Sequence, residues 1–79
     1  MKNKLICLIN EIYENQYKKV QKIGEELIPN ITSEDLLQPM DFLELETSPR
    51  FRFEEGVLSG IGEVRAALLA FFSDEDLEA

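Results

Sequence analysis

Apolar residues recur every three or four positions along the first third of the chain. The series is Leu5, Leu8, Ile9, Ile12, Tyr13, Tyr17, Val20, Ile23 and Leu27, with lysines and glutamates filling many positions between them. This spacing is typical of an amphipathic helix with one buried side. Because Pro29 disfavours helical backbone at the residue before it, the pattern predicts one helix over residues 2–28.

A second long helix is predicted over residues 49–72. Ser48 and Pro49 form a favourable helix start, with a capping hydroxyl followed by proline at the first helical position. Large apolar residues then recur in steps of four and three, as a heptad seam. They are Val57, Ile61, Val64, Leu68 and Phe71. The acidic tail that follows, residues 73–79, is predicted to be frayed.

The segment between these helices, residues 29–48, is predicted to be a partly ordered loop. Thr32 or Ser33 can cap a short helix near residues 33–38, which Pro39 would end. Phe42, Leu43 and Leu45 are too apolar for a mobile linker, so this loop is expected to fold back onto the helices. A weak alternation of apolar and polar residues leaves an alternative, an α+β fold with a hairpin between residues 42–46 and 50–53.

Three glycines within seven positions are unusual for a helix, because each costs about 0.5–1 kcal/mol relative to alanine. Two of them, Gly56 and Gly60, belong to a row of mostly small residues beside the heptad seam. A row of small residues allows the backbone of another helix to approach closely. The two rows together predict an interaction face, which consists of Gly56, Val57, Gly60, Ile61, Val64, Ala67, Leu68, Ala70 and Phe71.

Too much of the second helix is apolar or small for a single neighbouring helix to cover. A second copy of the chain, related by a two-fold axis, would cover the remainder. The predicted fold is therefore an all-α antiparallel hairpin of two long helices, forming a single domain over residues 1–79 and pairing as a dimeric four-helix bundle. The alternative is a monomer in which Phe42, Leu43 and Leu45 of the loop supply the missing cover.

Length and composition limit what else can stabilise the chain. A chain of 79 residues buries only about 60% of its unfolded surface, so a single domain of this size is marginally stable. One cysteine rules out an internal disulfide, and the lack of histidine argues against a zinc site. Oligomerisation remains as the means of stabilisation.

Charge and hydropathy disfavour several classes of partner. The net charge of −8 is concentrated in the second half of the chain and repels nucleic acid and anionic membranes. No uninterrupted apolar run approaches the roughly 20 residues of a membrane span. The apolar patch from Leu5 to Ile9 is too short for a signal peptide. We therefore expect a cytoplasmic protein with neither a membrane nor a nucleic-acid partner.

The sequence also lacks the residues of common catalytic sites. Without histidine there is no Ser-His-Asp or Cys-His arrangement, and no Glu-x-x-His motif of a di-iron bundle. Adjacent carboxylates such as Glu25 and Glu26 are typical of a solvated helix surface. Cys7 lies in an apolar stretch and is expected to be a buried, inert thiol. We predict no enzyme activity, no catalytic or metal-binding residue and no cofactor.

Three functional hypotheses follow from these features. The favoured one is a small acidic protein–protein interaction module, such as an adaptor, co-chaperone or regulatory subunit, which acts through apolar helical surfaces. The alternative is an acidic nucleic-acid mimic or antitoxin-like inhibitor, which would occupy a basic site on a partner protein. The third, a carboxylate metal binder or enzyme, is disfavoured by the missing histidines.

Overall fold

The chain folds as an antiparallel helical hairpin with two short helices at the connection. The computed structural model describes the backbone of residues 1–38 and 41–78, and the side chains of these residues up to Asp74. Two helices are long, α1 (Lys2–Leu27) and α4 (Pro49–Glu78). Two are short, α2 (Ser33–Leu36) and α3 (Leu43–Glu46). The all-α prediction is confirmed.

The alternative hairpin of residues 42–46 and 50–53 is wrong, because both segments are helical within the described ranges. The helix start that was expected at Ser48 explains why residues 50–53 are helical. The Ser48 hydroxyl accepts a hydrogen bond from the Phe51 amide at 3.2 Å, and the Ser48 carbonyl accepts one from the Arg52 amide at 3.0 Å. These bonds fix the first turn of α4 and leave this backbone unavailable for strand pairing.

Side-chain contacts show that α1 and α4 run in opposite directions. Near the connection, Arg50 of α4 pairs with Glu26 of α1 at 3.2 Å. Towards the far end, Arg65 of α4 donates a hydrogen bond to Asn10 of α1 at 2.8 Å. The resulting hairpin measures 49 × 20 × 19 Å, with a radius of gyration of 15.4 Å. A compact chain of this length would have a radius of about 12 Å, so the molecule is strongly elongated.

The buried core lies entirely at the connected end of the hairpin. It consists of Val20, Ile23, Ile31, Leu45 and Phe51. Leu45 comes from α3, and Ile31 precedes α2, so the middle segment folds back onto the long helices as expected. Thr32 and Asp35 form a reciprocal capping box that fixes the start of α2. Of the two neighbouring phenylalanines in α4, Phe51 is buried, whereas Phe53 is exposed.

The second long helix was expected to end at residue 72, before the tail of residues 73–79, but α4 is longer. The helix α4 continues through this segment to Glu78, whereas Ala79 lies outside the described residues. No glycine or proline follows Gly62, so nothing in the sequence interrupts the helical hydrogen bonds once α4 has formed. The end of α4 was placed too early because acidity was taken as a sign of disorder.

The glycines that pack closely within the chain differ from those that the sequence pattern indicated. A Cβ atom added at Gly56 or Gly60 would meet nothing within 4 Å, so neither glycine contacts another helix of the same chain. A Cβ at Gly62 would lie 3.4 Å from the Tyr13 ring. At Gly24, which is buried in α1, a Cβ would lie only 2.5 Å from Leu36 Cδ2. Gly24 therefore provides the surface on which α2 rests.

We predict that Gly24→Ala gains little or no stability, because the added methyl group must displace the Leu36 side chain, which offsets the gain in helix propensity. Gly56→Ala is the matched control. It adds the same methyl group to an open helical position and should stabilise the fold by about 0.5–1 kcal/mol. Urea denaturation of both variants measures these changes in the free energy of unfolding. Equal stabilisation by the two substitutions would show that α2 does not rest on Gly24.

A polar contact joins the two long helices beside the core. Lys19 Nζ lies 2.6 Å from Glu54 Oε2, and Gln16 donates hydrogen bonds to the Glu54 side chain at 3.2 Å and to its backbone carbonyl at 2.9 Å. The pKa of Glu54 is held below its usual range, mainly by the hydrogen bond from Lys19 and next by the one from Gln16. Burial acts in the opposite direction and raises the pKa. Arg50, which lies one turn before Glu54 on α4, pairs with Glu26.

We predict that Glu54 makes the fold sensitive to acid. Because the pKa of Glu54 is lowered by folding, its stabilisation is complete above the unfolded pKa of about 4.5 and is lost as the pH falls through the folded pKa. Glu54→Gln should therefore have a lower melting temperature than the parent at pH 7, and a smaller further loss at pH 3. Glu14→Gln, which changes an exposed carboxylate, is the control. An identical pH profile for the parent and Glu54→Gln would contradict this role.

Candidate interaction surfaces

A continuous row of apolar and small residues runs along the outside of α4. We call it the outer stripe. It consists of Phe53, Val57, Gly60, Val64, Ala67 and Phe71, in steps of four and three residues. The large side chains on it are well exposed, with 69% of Phe53, 55% of Val64 and 61% of Phe71 accessible. This spacing is typical of helices that pack against another helix as in a coiled coil.

The outer stripe points away from α1 because a different side of α4 is used within the hairpin. Phe51 and Leu58 pack in or against the core, and Gly62 faces Tyr13. The Arg65 guanidinium lies 5.0 Å from the centre of the Tyr13 ring. At about 100° per residue, the stripe lies nearly opposite these positions. The helix α1 therefore covers one side of α4 and leaves the other side uncovered.

The structure places all nine residues of the predicted interaction face outside the buried core. Six are exposed and three are half-buried: Gly56, Gly60, Val64, Ala67, Ala70 and Phe71 are exposed, and Val57, Ile61 and Leu68 are half-buried. Phe53 extends this face by one turn but was not part of the predicted face. Its position four residues before Val57 is the signal that would have identified it.

The free end of the hairpin lacks a core of its own. Among the described residues, none in 1–19 and none in 55–74 is buried. Leu5, Leu8 and Ile12 of α1 are exposed there, in addition to the outer stripe of α4. Cys7 is also exposed, so its expected burial is wrong. Apolar surface of both helices is therefore uncovered at this end, where the hydrophobic effect favours its burial.

The accessible surface of the chain is large for its mass. A compact monomer of 9.1 kDa is expected to expose roughly 4,900 Å². This chain exposes 5847 Å². The excess of about 950 Å² is close to the roughly 800 Å² that each partner buries in a protein–protein interface of standard size.

The charges at the ends of α4 oppose its helix dipole. Its first turn contains no acidic residue and its last turn no basic one. Arg50 and Arg52 lie at the positive amino-terminal end instead, and Asp74 lies near the negative carboxyl-terminal end. The end charges of α1 are reversed in the same way, with Lys2 at its start. Such charges are unfavourable in an isolated helix and become favourable beside an antiparallel neighbour.

A groove opens between α1, α2 and α4, away from the outer stripe. It encloses about 270 Å³. Tyr13 and Tyr17 of α1 form part of its wall, with ring centroids 6.5 Å apart. The remaining lining residues are Val20, Gln21, Ser33, Leu36, Leu37, Glu55, Leu58, Ser59 and Gly62. The lining is therefore mainly apolar, with a single carboxylate, that of Glu55.

By length and composition, the Pro49–Asp74 part of α4 is also able to cross a membrane, with a mean hydropathy of 1.4 over an 18-residue window. The sequence pattern did not indicate this, because Glu63 and Arg65 interrupt the apolar run. A charged side chain at the centre of a bilayer costs about 2.5–3.5 kcal/mol. Arg65 is already engaged by Asn10 and Tyr13. These charges therefore make a membrane-spanning position of α4 costly.

The carboxylates of the described residues form no group of three or more that could hold a metal ion. Several are used within the hairpin instead. Glu26 pairs with Arg50, Glu54 with Lys19, and Glu55 lies 3.9 Å from Arg52. No protein-family model, no curated protein and no solved structure matches the chain. Function is therefore inferred from the surfaces themselves.

Proposed function

We propose that this protein is a non-enzymatic protein–protein interaction module, an adaptor, co-chaperone or regulatory subunit, whose main contact surface is the outer stripe of α4. The observation that carries this proposal is the exposure of Phe53, Val64 and Phe71 along one line of a well-formed helix. An apolar line of this length is rarely left in contact with water by a monomeric protein. The nucleic-acid mimic has less support, because Glu26, Glu54 and Glu55 pair with cations of the same chain.

The first occupant of the outer stripe is a second copy of the chain, which gives a dimer with four long helices. If two α4 helices pack antiparallel about a two-fold axis near residue 62, the whole stripe is covered. Gly60 then lies opposite the partner's Val64, and Val57 lies opposite the partner's Ala67. Each of these two contacts combines a small residue with a larger one, as close helix packing requires. The two ends of the stripe bring Phe53 together with the partner's Phe71.

The end charges of α4 favour the antiparallel arrangement over the parallel one. In the antiparallel dimer, Arg50 and Arg52 of one copy lie beside the partner's Asp74, so the charges that oppose each helix dipole meet charges of opposite sign. A parallel dimer would place like charges together at both ends. Glu63 lies near the two-fold axis at the edge of the stripe, where it is exposed and keeps its contact with water.

We predict that the purified protein sediments at micromolar concentration with twice the 9.1 kDa mass of one chain. Val64→Asp should weaken the dimer at least about 100-fold, because it buries an unpaired charge at the centre of the stripe. Ala66→Asp is the matched control. It adds the same charge two residues away, at an exposed position outside the stripe. This variant should still sediment with the mass of the dimer.

A second substitution separates the dimer from a monomer with an exposed stripe. Gly60→Leu should weaken the dimer by overpacking against the partner's Val64. In a monomer it would instead stabilise the fold by up to about 1 kcal/mol through helix propensity. A 9.1 kDa species whose melting temperature is independent of concentration would exclude self-association. Sedimentation with neutral phosphatidylcholine vesicles by the parent but not by Val64→Asp would instead assign the stripe to a membrane.

A further inference from the structure

The groove between α1, α2 and α4 has the shape and chemistry of a second binding surface. We propose that it binds an amphipathic helix of a partner protein, one that presents two neighbouring large apolar side chains with a lysine or arginine beside them. This inference rests on the proposed function as an interaction module, but it concerns a different surface from the outer stripe. The two surfaces share no residue.

The lining of the groove selects apolar side chains. Tyr13, Tyr17, Leu36 and Leu58 present rings and methyl groups to a space of about 270 Å³. This volume lies just below the roughly 300–1,000 Å³ of sites that enclose a small-molecule ligand. It suits two side chains of leucine size, which adjacent turns of a helix place next to each other. The groove therefore has room for two side chains of a larger ligand, but not for the whole ligand.

The groove is open along one side, which favours a helix over a small molecule. Leu37 forms one edge and is 77% exposed, and Ser33 and Ser59 are exposed as well. A small ligand in such a site would keep much of its surface in water, whereas buried ligands lose 70–90% of theirs, roughly. An amphipathic helix needs only its apolar side covered and can keep its polar side in solvent.

The charge at the edge of the groove selects a basic partner. Glu55 is the only acid among the described residues that line the groove, and its carboxylate lies 3.9 Å from Arg52, at the outer limit of an ion pair. A lysine or arginine of the partner can bind this carboxylate at shorter range. The net charge of −8 acts in the same direction, because it raises the rate at which a basic segment associates.

The structure also explains how the exposed edge of the groove is held in place. Leu36 packs against Gly24, and the capping box between Thr32 and Asp35 fixes the orientation of α2. Leu37 therefore points outward from a supported segment. On α4, Glu55 and Ser59 project more than about 100° from the centre of the outer stripe, so a second copy bound to the stripe leaves the groove open.

The intrinsic fluorescence of the protein provides a specific probe of this groove. The chain has no tryptophan and two tyrosines, and both tyrosines line the groove. The test is a titration with a short synthetic amphipathic helix of leucine and lysine, which itself contains no aromatic residue. We expect a saturable change in tyrosine fluorescence. The same peptide with glutamate in place of lysine should bind at least about tenfold more weakly, because it meets Glu55 and an acidic surface.

Matched variants identify the surface to which the peptide binds. Leu37→Asn, at the edge of the groove, should weaken binding at least about tenfold, because it removes an apolar contact without adding a charge. Leu43→Asn is the control, because Leu43 is similarly exposed, at 71% against 77% for Leu37, but lies outside the groove on α3. Glu55→Gln should reduce the preference for the lysine peptide over the glutamate peptide.

Three outcomes would overturn the proposal. They are the absence of a saturable fluorescence change, equal effects of Leu37→Asn and Leu43→Asn, and loss of peptide binding in Val64→Asp. The last would place the peptide on the outer stripe instead. Failure of the groove is distinguishable from failure of the proposed function, because the dimer is measured by sedimentation without any peptide.

Discussion

The structure depends on one constraint: α4 is apolar on more sides than a single neighbouring helix can cover. The helix α1 packs against the side that includes Phe51, Leu58 and Arg65. The short helices add cover only at the connected end, where Leu45 and Phe51 are fully buried. Everything that remains of α4, chiefly the outer stripe, contacts solvent in a single chain. The elongated shape and the large accessible surface are direct consequences of this imbalance.

The charges at the ends of α1 and α4 are a second feature that the two long helices share. Both long helices carry their end charges opposite to the preference of the helix dipole, so each is stabilised by an antiparallel neighbour. Within the hairpin this is visible in the pair between Glu26 and Arg50. In the proposed antiparallel dimer, the same rule would bring Arg52 of one copy near the partner's Asp74. Packing and charge therefore both support the proposed antiparallel dimer.

The sequence was sufficient to predict the two long helices and a short helix after Thr32, but not α3, the end of α4 or the contacts between the helices. Pro29 and the Ser48–Pro49 pair marked the helix boundaries correctly, because they act through local backbone geometry. The side of α4 that faces α1 was not predictable from the sequence. Apolar residues occur on every side of this helix, so their periodicity does not show which side is buried. The close contact between Gly24 and Leu36 left no periodic signal either, since it depends on the path of the loop. Cys7 was misplaced because an apolar neighbourhood in sequence was equated with burial.

The antiparallel pairing of α4 with a second copy is tested most directly by a distance between two spin labels. In a Cys7→Ser chain, Ser73→Cys provides one exposed labelling site on α4 per copy. Pairing centred near residue 62 places the two labels at opposite ends of the dimer, about 35 Å apart at 1.5 Å rise per residue. A dipolar distance near this value is expected. A distance below about 20 Å would indicate a parallel pair, since its labels lie side by side, and the absence of any dipolar coupling would show that the stripe is not covered by a second copy.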